Sequence, residues 1–294
     1  MPTPLTRLDI AELAVVAAGL IIILAGAIIV SRRRAWRELI NIPPPSSNVL
    51  EPADLLIGLA AILMLSSVIF KLLSIGAAPV ADEPVTSQPD AADPREVLAL
   101  ALGQTLAAAL IALIARQRFH GGLSGWGLTT THFGQRVGQA IIGYLAAWSI
   151  CLALLHLTVL ILQWTVPDFA PPEHSAILTL LSAASPPWVI IVTIISTSVL
   201  APTLEEFFFR GLLQPALIRW TNRPWAAILI AGTAFGLFHY PLIHTIPALA
   251  VFGVFLGYLY AKTRSLTLVI LLHAVFNAKT LLWLAIGADG QEPQ

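Results

Sequence analysis

Charge is what this sequence has least of. Of 294 residues, 11% are Asp, Glu, Lys or Arg and 57% are hydrophobic, whereas a soluble domain carries about 25% charged residues. Such a chain lacks the polar surface needed to face water, and its mean hydropathy of +0.83 describes an integral membrane protein. The formal net charge is zero and the basic residues form no broad patch, which argues against a nucleic-acid partner. A single cysteine, Cys151, excludes an intramolecular disulfide. Strict apolar–polar alternation is also missing, and that disfavours a transmembrane barrel.

What the sequence has instead is long apolar runs. A hydrocarbon core of about 30 Å needs roughly 20 apolar residues as helix. Eight runs qualify, at about 10–30, 55–75, 97–115, 138–163, 188–204, 225–240, 246–261 and 266–286. The expected fold is an all-α, polytopic membrane helix bundle of about eight transmembrane helices. The first run ends in SRRRAWR rather than a small-residue cleavage site, so it reads as a membrane span and not as a cleaved signal peptide.

Charge placement sets an expected orientation. Arg32, Arg33, Arg34, Arg37, Arg116, Arg118, Arg136, Arg219, Arg223, Lys262 and Arg264 all fall in alternate loops, as the positive-inside rule requires of inner loops. Both termini are then outside, with the acidic, Pro-rich linker of residues 78–96 outside and the 116–136 loop inside. Trp36, Trp164, Trp188, Trp220 and Trp225 sit near expected helix ends, where amphipathic rings favour the interface.

Against this background LEEFFFR (residues 204–210) is anomalous. A charge at the centre of a membrane helix costs about 2.5–3.5 kcal/mol on insertion scales. Glu206 and Arg210 stand four apart and neutralise each other on one helix face, an expected structural ion pair. Glu205 has no such local partner. Two later runs offer polar groups at the same spacing: FGLFH places Phe235 and His239 on one face, and HAVFN does so for His273 and Asn277. At about 1.5 Å rise per residue, Glu205 lies roughly 21 Å from Arg219, His239 roughly 24 Å from Arg223, and His273 and Asn277 roughly 13 and 19 Å from Arg264. The four side chains are therefore expected in one layer, with Pro202 bending the fifth helix beside them.

A carboxylate, two histidines and an amide suit acyl-bond hydrolysis. Withdrawal from water makes the Glu205 carboxylate a better base, His239 helps hold the attacking water, and His273 and Asn277 donate to the oxyanion. Water is the expected nucleophile, because no Ser or Cys has a partnered base. Glu205, His239 and His273 would also make a three-ligand zinc set, although no H-E-x-x-H helix is present; no cofactor is the favoured reading. Hydrolysis also calls for a water-filled cavity reaching Glu205, expected from the inner side. His156 and Cys151, and the loop histidines His120, His132, His174 and His244, are assigned no role. Lys71 and Lys279 are expected to snorkel.

In that order, E-E-x-x-x-R, F-x-x-x-H and H-x-x-x-N, together with TRSLTLVILLH and the WGL after the third span, resemble the CPBP family of CaaX prenyl endopeptidase and bacteriocin-processing (Abi) membrane proteins. The resemblance covers about residues 190–285. It implies a glutamate-dependent intramembrane endopeptidase in which Glu205 acts on water with His239, while His273 and Asn277 line the oxyanion site. A peptide or membrane-protein substrate and a bacterial cell membrane follow as expectations. Residues 121–294 would form the protease core and residues 1–120 an accessory region. A non-enzymatic scaffold or immunity protein and a proton-coupled transporter are the alternatives, since buried carboxylates and histidines also make proton relays.

Overall fold

The computed structural model describes residues 7–75, 93–171 and 185–288. Helices form at all eight apolar runs: α1 (Arg7–Arg32), α2 (Pro52–Leu73), α3 (Pro94–Arg118), α4 (Phe133–Thr165), α5 (Pro187–Thr221), α6 (Pro224–Leu237), α7 (Ile246–Thr263) and α8 (Leu266–Ala288). No strand occurs among the described residues. Among the described residues, seven helices are long and apolar enough to cross a membrane, and α6, with 14 residues, is shorter. The protein is an integral, multi-pass membrane helix bundle. Ile21, Leu56, Leu160 and Ile191 are among the large apolar residues left exposed on it, as a lipid-facing surface requires.

Proline sets several helix starts. Pro52, Pro94, Pro187 and Pro224 each stand in a first turn, where the missing N–H is not needed. Inside α5, Pro202 and Pro215 are each preceded by a π-helical turn, Ser196–Leu200 and Phe209–Leu213. A mid-helix proline cannot donate to the carbonyl four residues back. The ladder widens just before each one: Ala201 N–H donates to Ser196 O and Gln214 N–H to Phe209 O. Pro202 thus acts through a π turn, and the helix continues to Thr221 well beyond the expected end at residue 204.

Close packing comes from small residues. On α6 and α7, a Cβ added at Gly232 would lie 2.5 Å from Val254 N, and one at Gly236 would lie 2.7 Å from Ala250 N. Only glycine permits this backbone approach, the usual device where lipid supplies no hydrophobic drive between helices.

The basic loops gather at one end of the bundle. The segment joining α1 to α2 runs beneath it: Trp225 Nε1 donates to Ile40 O (2.9 Å), Tyr258 Oη to Leu39 O (3.1 Å) and Lys262 Nζ to Asn41 O (2.9 Å). Arg219 and Arg264 reach Leu50 O and Pro44 O, and Val49 N–H donates to Arg118 O at 2.8 Å. The loops after α1, α3, α5 and α7 therefore share an end, as alternating spans demand. The five interfacial tryptophans are all exposed, Trp164 most at 88%. The 78–96 linker falls largely, and His174 entirely, outside the described residues.

Candidate active site

The polar layer is built on α5, α6 and α8, with α7 behind it. Glu206 and Arg210 are fully buried, and Arg210 Nη1 donates to Glu206 Oε1 at 2.8 Å. Arg210 Nη2 reaches across to Gly253 O on α7 at 2.9 Å, while its guanidinium lies 4.6 Å from the Phe235 ring centroid. A charge kept from lipid is thereby shared among a carboxylate, a carbonyl and a π face.

The same carboxylate holds a histidine from α8. His273 Nδ1 lies 2.9 Å from Glu206 Oε1, and its Nε2 lies 3.8 Å from Glu205 Oε2. With Nδ1 occupied by Glu206, Nε2 is the ring nitrogen turned toward Glu205, at a separation too long for a direct hydrogen bond. Phe235 and Phe252 fix the ring plane from two sides, with centroids 5.5 and 5.4 Å away. Glu205 keeps 18% of its side chain exposed, whereas Glu206 keeps none. Glu205 Oε2 has no protein hydrogen-bond partner. Adjacent in sequence, the two glutamates have different surroundings: Glu206 is fully buried with Oε1 shared by Arg210 and His273, whereas Glu205 is partly exposed; Oε2 of each has no protein hydrogen-bond partner.

Asn277 lies one turn beyond His273 on α8 and is half-buried. Its Nδ2 donates to Thr197 O at 3.0 Å, in the π turn that precedes Pro202. His239 differs from expectation. Helix α6 ends at Leu237, so His239 stands in the following turn rather than on the helix, its Nδ1 2.9 Å from Phe235 O. The cause is Pro241: it disfavours helical backbone at Tyr240 and cannot donate to the helix ladder, so the chain leaves the helix before it. No hydrogen bond joins His239 to Glu205. The structure thus brings Glu205, Glu206 and His273 together and puts Asn277 on the wall beside them, while His239 stands on the rim of α6.

Lys279 corrects a second expectation. It does not snorkel; it is buried, paired with Glu12 of α1 at 2.6 Å and held 3.4 Å from the Trp148 ring centroid and 4.3 Å from that of Trp283. Trp148 Nε1 donates to the other oxygen of Glu12. A lysine inside a bilayer stays charged only with such partners, and here the partner comes from the first helix. Among the described residues, no group of three His, Cys, Asp or Glu side chains is gathered closely enough to hold a metal ion.

Sequence reasoning missed two supports of the site. Trp126, in the WGL of the 116–136 loop, is wholly buried, donates from Nε1 to Gly211 O at 2.8 Å and packs on Phe207 with centroids 4.6 Å apart. Gly253 supplies a carbonyl to Arg210. An exposed loop tryptophan and a helix glycine carry the same letters, so no local signal separates these residues from others of their type.

A carboxylate beside a buried imidazole, with an amide one turn further along the same helix as that imidazole, makes a polar layer inside a membrane helix bundle. Comparison with known proteins supports an intramembrane protease: residues 186–279 match the family described as Rce1-like, Type II CAAX prenyl endopeptidase Rce1-like. That segment contains Glu205, His239, His273 and Asn277. The chain is also 36% identical over 84 residues to a Bacillus subtilis (strain 168) protein titled "Putative membrane peptidase YdiL". This alignment covers 29% of the present chain and 34% of that relative's length. No solved structure matches the chain.

Proposed function

We propose that the protein is an intramembrane endopeptidase that hydrolyses a peptide bond of a membrane-associated peptide or protein, with Glu205 as the base. One observation carries this reading: the partly exposed side chain of Glu205 turns its buried Oε2 toward His273 Nε2 at 3.8 Å, while Glu206, paired with Arg210, holds the other nitrogen of that ring. Glu205 takes a proton from water as the water oxygen bonds to the scissile carbonyl carbon. The resulting oxyanion meets the remaining Nδ2 hydrogen of Asn277 and, in the imidazolium form in which both ring nitrogens donate, His273 Nε2, within a low-dielectric site. The tetrahedral adduct collapses by breaking the C–N bond, and Glu205 returns the proton to the leaving amine. His239 assists by holding the water once substrate closes the rim. The reaction needs no metal in this scheme. Zinc, the alternative, would require His239 to leave Phe235 O and converge with Glu205 and His273.

Residues 121–294 form the proposed core, and residues 1–120 add helices that brace it, α3 against α5 and α1 against α4 and α8. The reading is tested by comparing the peptides of cells carrying the wild type or the Glu205→Ala variant. A cut that disappears identifies activity and substrate together. If no peptide differs, while uptake of a solute depends on Glu205 or a scaffolding phenotype persists in Glu205→Gln, the enzyme reading is lost.

A further inference from the structure

We infer that a hydrated polar track runs along the first half of α5, from the end of the bundle opposite the arginines toward Glu205, and that water is its ligand. The purpose assigned to the track rests on the reading of Glu205 as a water-activating base; its existence does not.

Threonine and serine in membrane helices ordinarily satisfy themselves on the carbonyl four residues back. This protein does so repeatedly: Thr105 Oγ1 donates to Ala101 O (2.8 Å), Thr158 to Leu154 O (2.7 Å), Thr203 to Val199 O (2.7 Å) and Thr263 to Leu259 O (2.7 Å). Thr193 and Ser198 break the pattern. Each is 6% exposed, yet Thr193 Oγ1 and Ser198 Oγ have no protein partner, and neither has Glu205 Oε2 further along the same helix. Their neighbours Ile191, Ile194, Ile195 and Val199 are 57, 43, 46 and 49% exposed. On this stretch, then, aliphatic side chains face outward and unsatisfied hydroxyls face inward, against α3 and α8.

The surroundings are polar enough to hold water. Ser196, 1% exposed, donates to Gln104 Oε1 of α3 at 2.6 Å. Asn277 of α8 donates to Thr197 O at 3.0 Å. The π turn Ser196–Leu200 widens the helix at this level, a distortion that recurs at functional sites. A buried water needs two to four polar partners, and orphaned hydroxyls on α5 with amides from α3 and α8 supply them. From Thr193 to Ser198 and from Ser198 to Glu205 the rise is roughly 7 and 10 Å, spans that a few waters bridge. Thr193 lies nearer Pro187 than Glu205 does, so the orphaned hydroxyls extend from Glu205 toward the end opposite the arginines. On the arginine side of Glu205 the unpartnered atoms on α5 are Glu206 Oε2, Arg210 Nε and Gln214 Oε1, in charged or amide side chains that are fully buried and already bonded through another atom.

Cysteine accessibility tests this without any cleavage assay. In a Cys151→Ala background, Thr193→Cys and Ser198→Cys are treated in sealed vesicles of known orientation with a membrane-impermeant cationic methanethiosulfonate, added to one side or the other. Val199→Cys, facing lipid, is the control. Both track positions should react at least tenfold faster than the control, and only from the side of the Pro187 end. Rates equal to the control, or reaction only from the arginine side, overturn the inference. Thr193→Val and Ser198→Ala provide a second reading by thermal melting. Removing a hydroxyl from a hydrated track should lower or leave unchanged the melting temperature, whereas a raised one would show that the hydroxyls are dry and merely unsatisfied. Loss of cleavage in Glu205→Gln is scored separately, so failure of the track and failure of the protease reading are distinguishable.

Discussion

His273 of α8 presents Nδ1 to Glu206 at 2.9 Å and Nε2 to Glu205 at 3.8 Å. One imidazole therefore lies between two consecutive carboxylates, hydrogen-bonded to one and held off from the other. Glu206 is itself held by Arg210, and Arg210 by the α7 backbone.

The two glutamates should respond differently to the same change. Glu205→Gln preserves shape and removes a charge that has no ion-pair partner on its own helix, so the protein should stay folded and lose hydrolysis. Removing one partner of a buried pair costs about 3–5 kcal/mol, so Glu206→Ala and Arg210→Ala should reduce folded protein as well as activity. Melting temperature in detergent, read beside peptidase activity, separates the two effects. If a well-folded Glu206→Gln variant is inactive while Glu205→Gln still cleaves, the base is Glu206.

Trp126 and Gly211 should be intolerant of each other's enlargement. A Cβ at Gly211 would fall 2.4–2.6 Å from the Trp126 ring. The ring cannot move cheaply, because it is packed against Phe207 and bonded to Gly211 O. Overpacking of this kind costs about 1–3 kcal/mol, and Gly211→Ala should lower the melting temperature. Gly26→Ala, where nothing lies within 4 Å of the added carbon, should not.

The clamp between α1 and α8 should show coupling. Lys279→Met leaves the partly buried Glu12 without its cation, and Glu12→Gln leaves Lys279 with the two indole faces and a neutral amide in place of a carboxylate. Each single change should destabilise the protein. The double variant should recover part of the loss, with an interaction term in the range of about 0.5–3 kcal/mol found for contacting residues. Additive losses in a double-mutant cycle would mean that the pair contributes nothing beyond its separate parts.

Metal removal discriminates between the two uses of the polar layer. The metal-free scheme predicts that cleavage survives prolonged treatment with a strong zinc chelator at unchanged rate. Loss of activity, restored by zinc and by no other addition, would transfer Glu205, His239 and His273 to a metal centre.

Much of the architecture was determined by sequence-local physics. Apolar runs of membrane length, punctuated by arginines and first-turn prolines, fix eight helices and the end of the bundle at which their basic loops meet, because lipid tolerates no unsatisfied backbone. The Glu206–Arg210 pair follows from i,i+4 spacing alone. What the tertiary structure decided depends on contacts between residues distant in the chain. His273 meets Glu206 across 67 positions and Lys279 meets Glu12 across 267; helical periodicity gives the face of each residue but not the face that meets it.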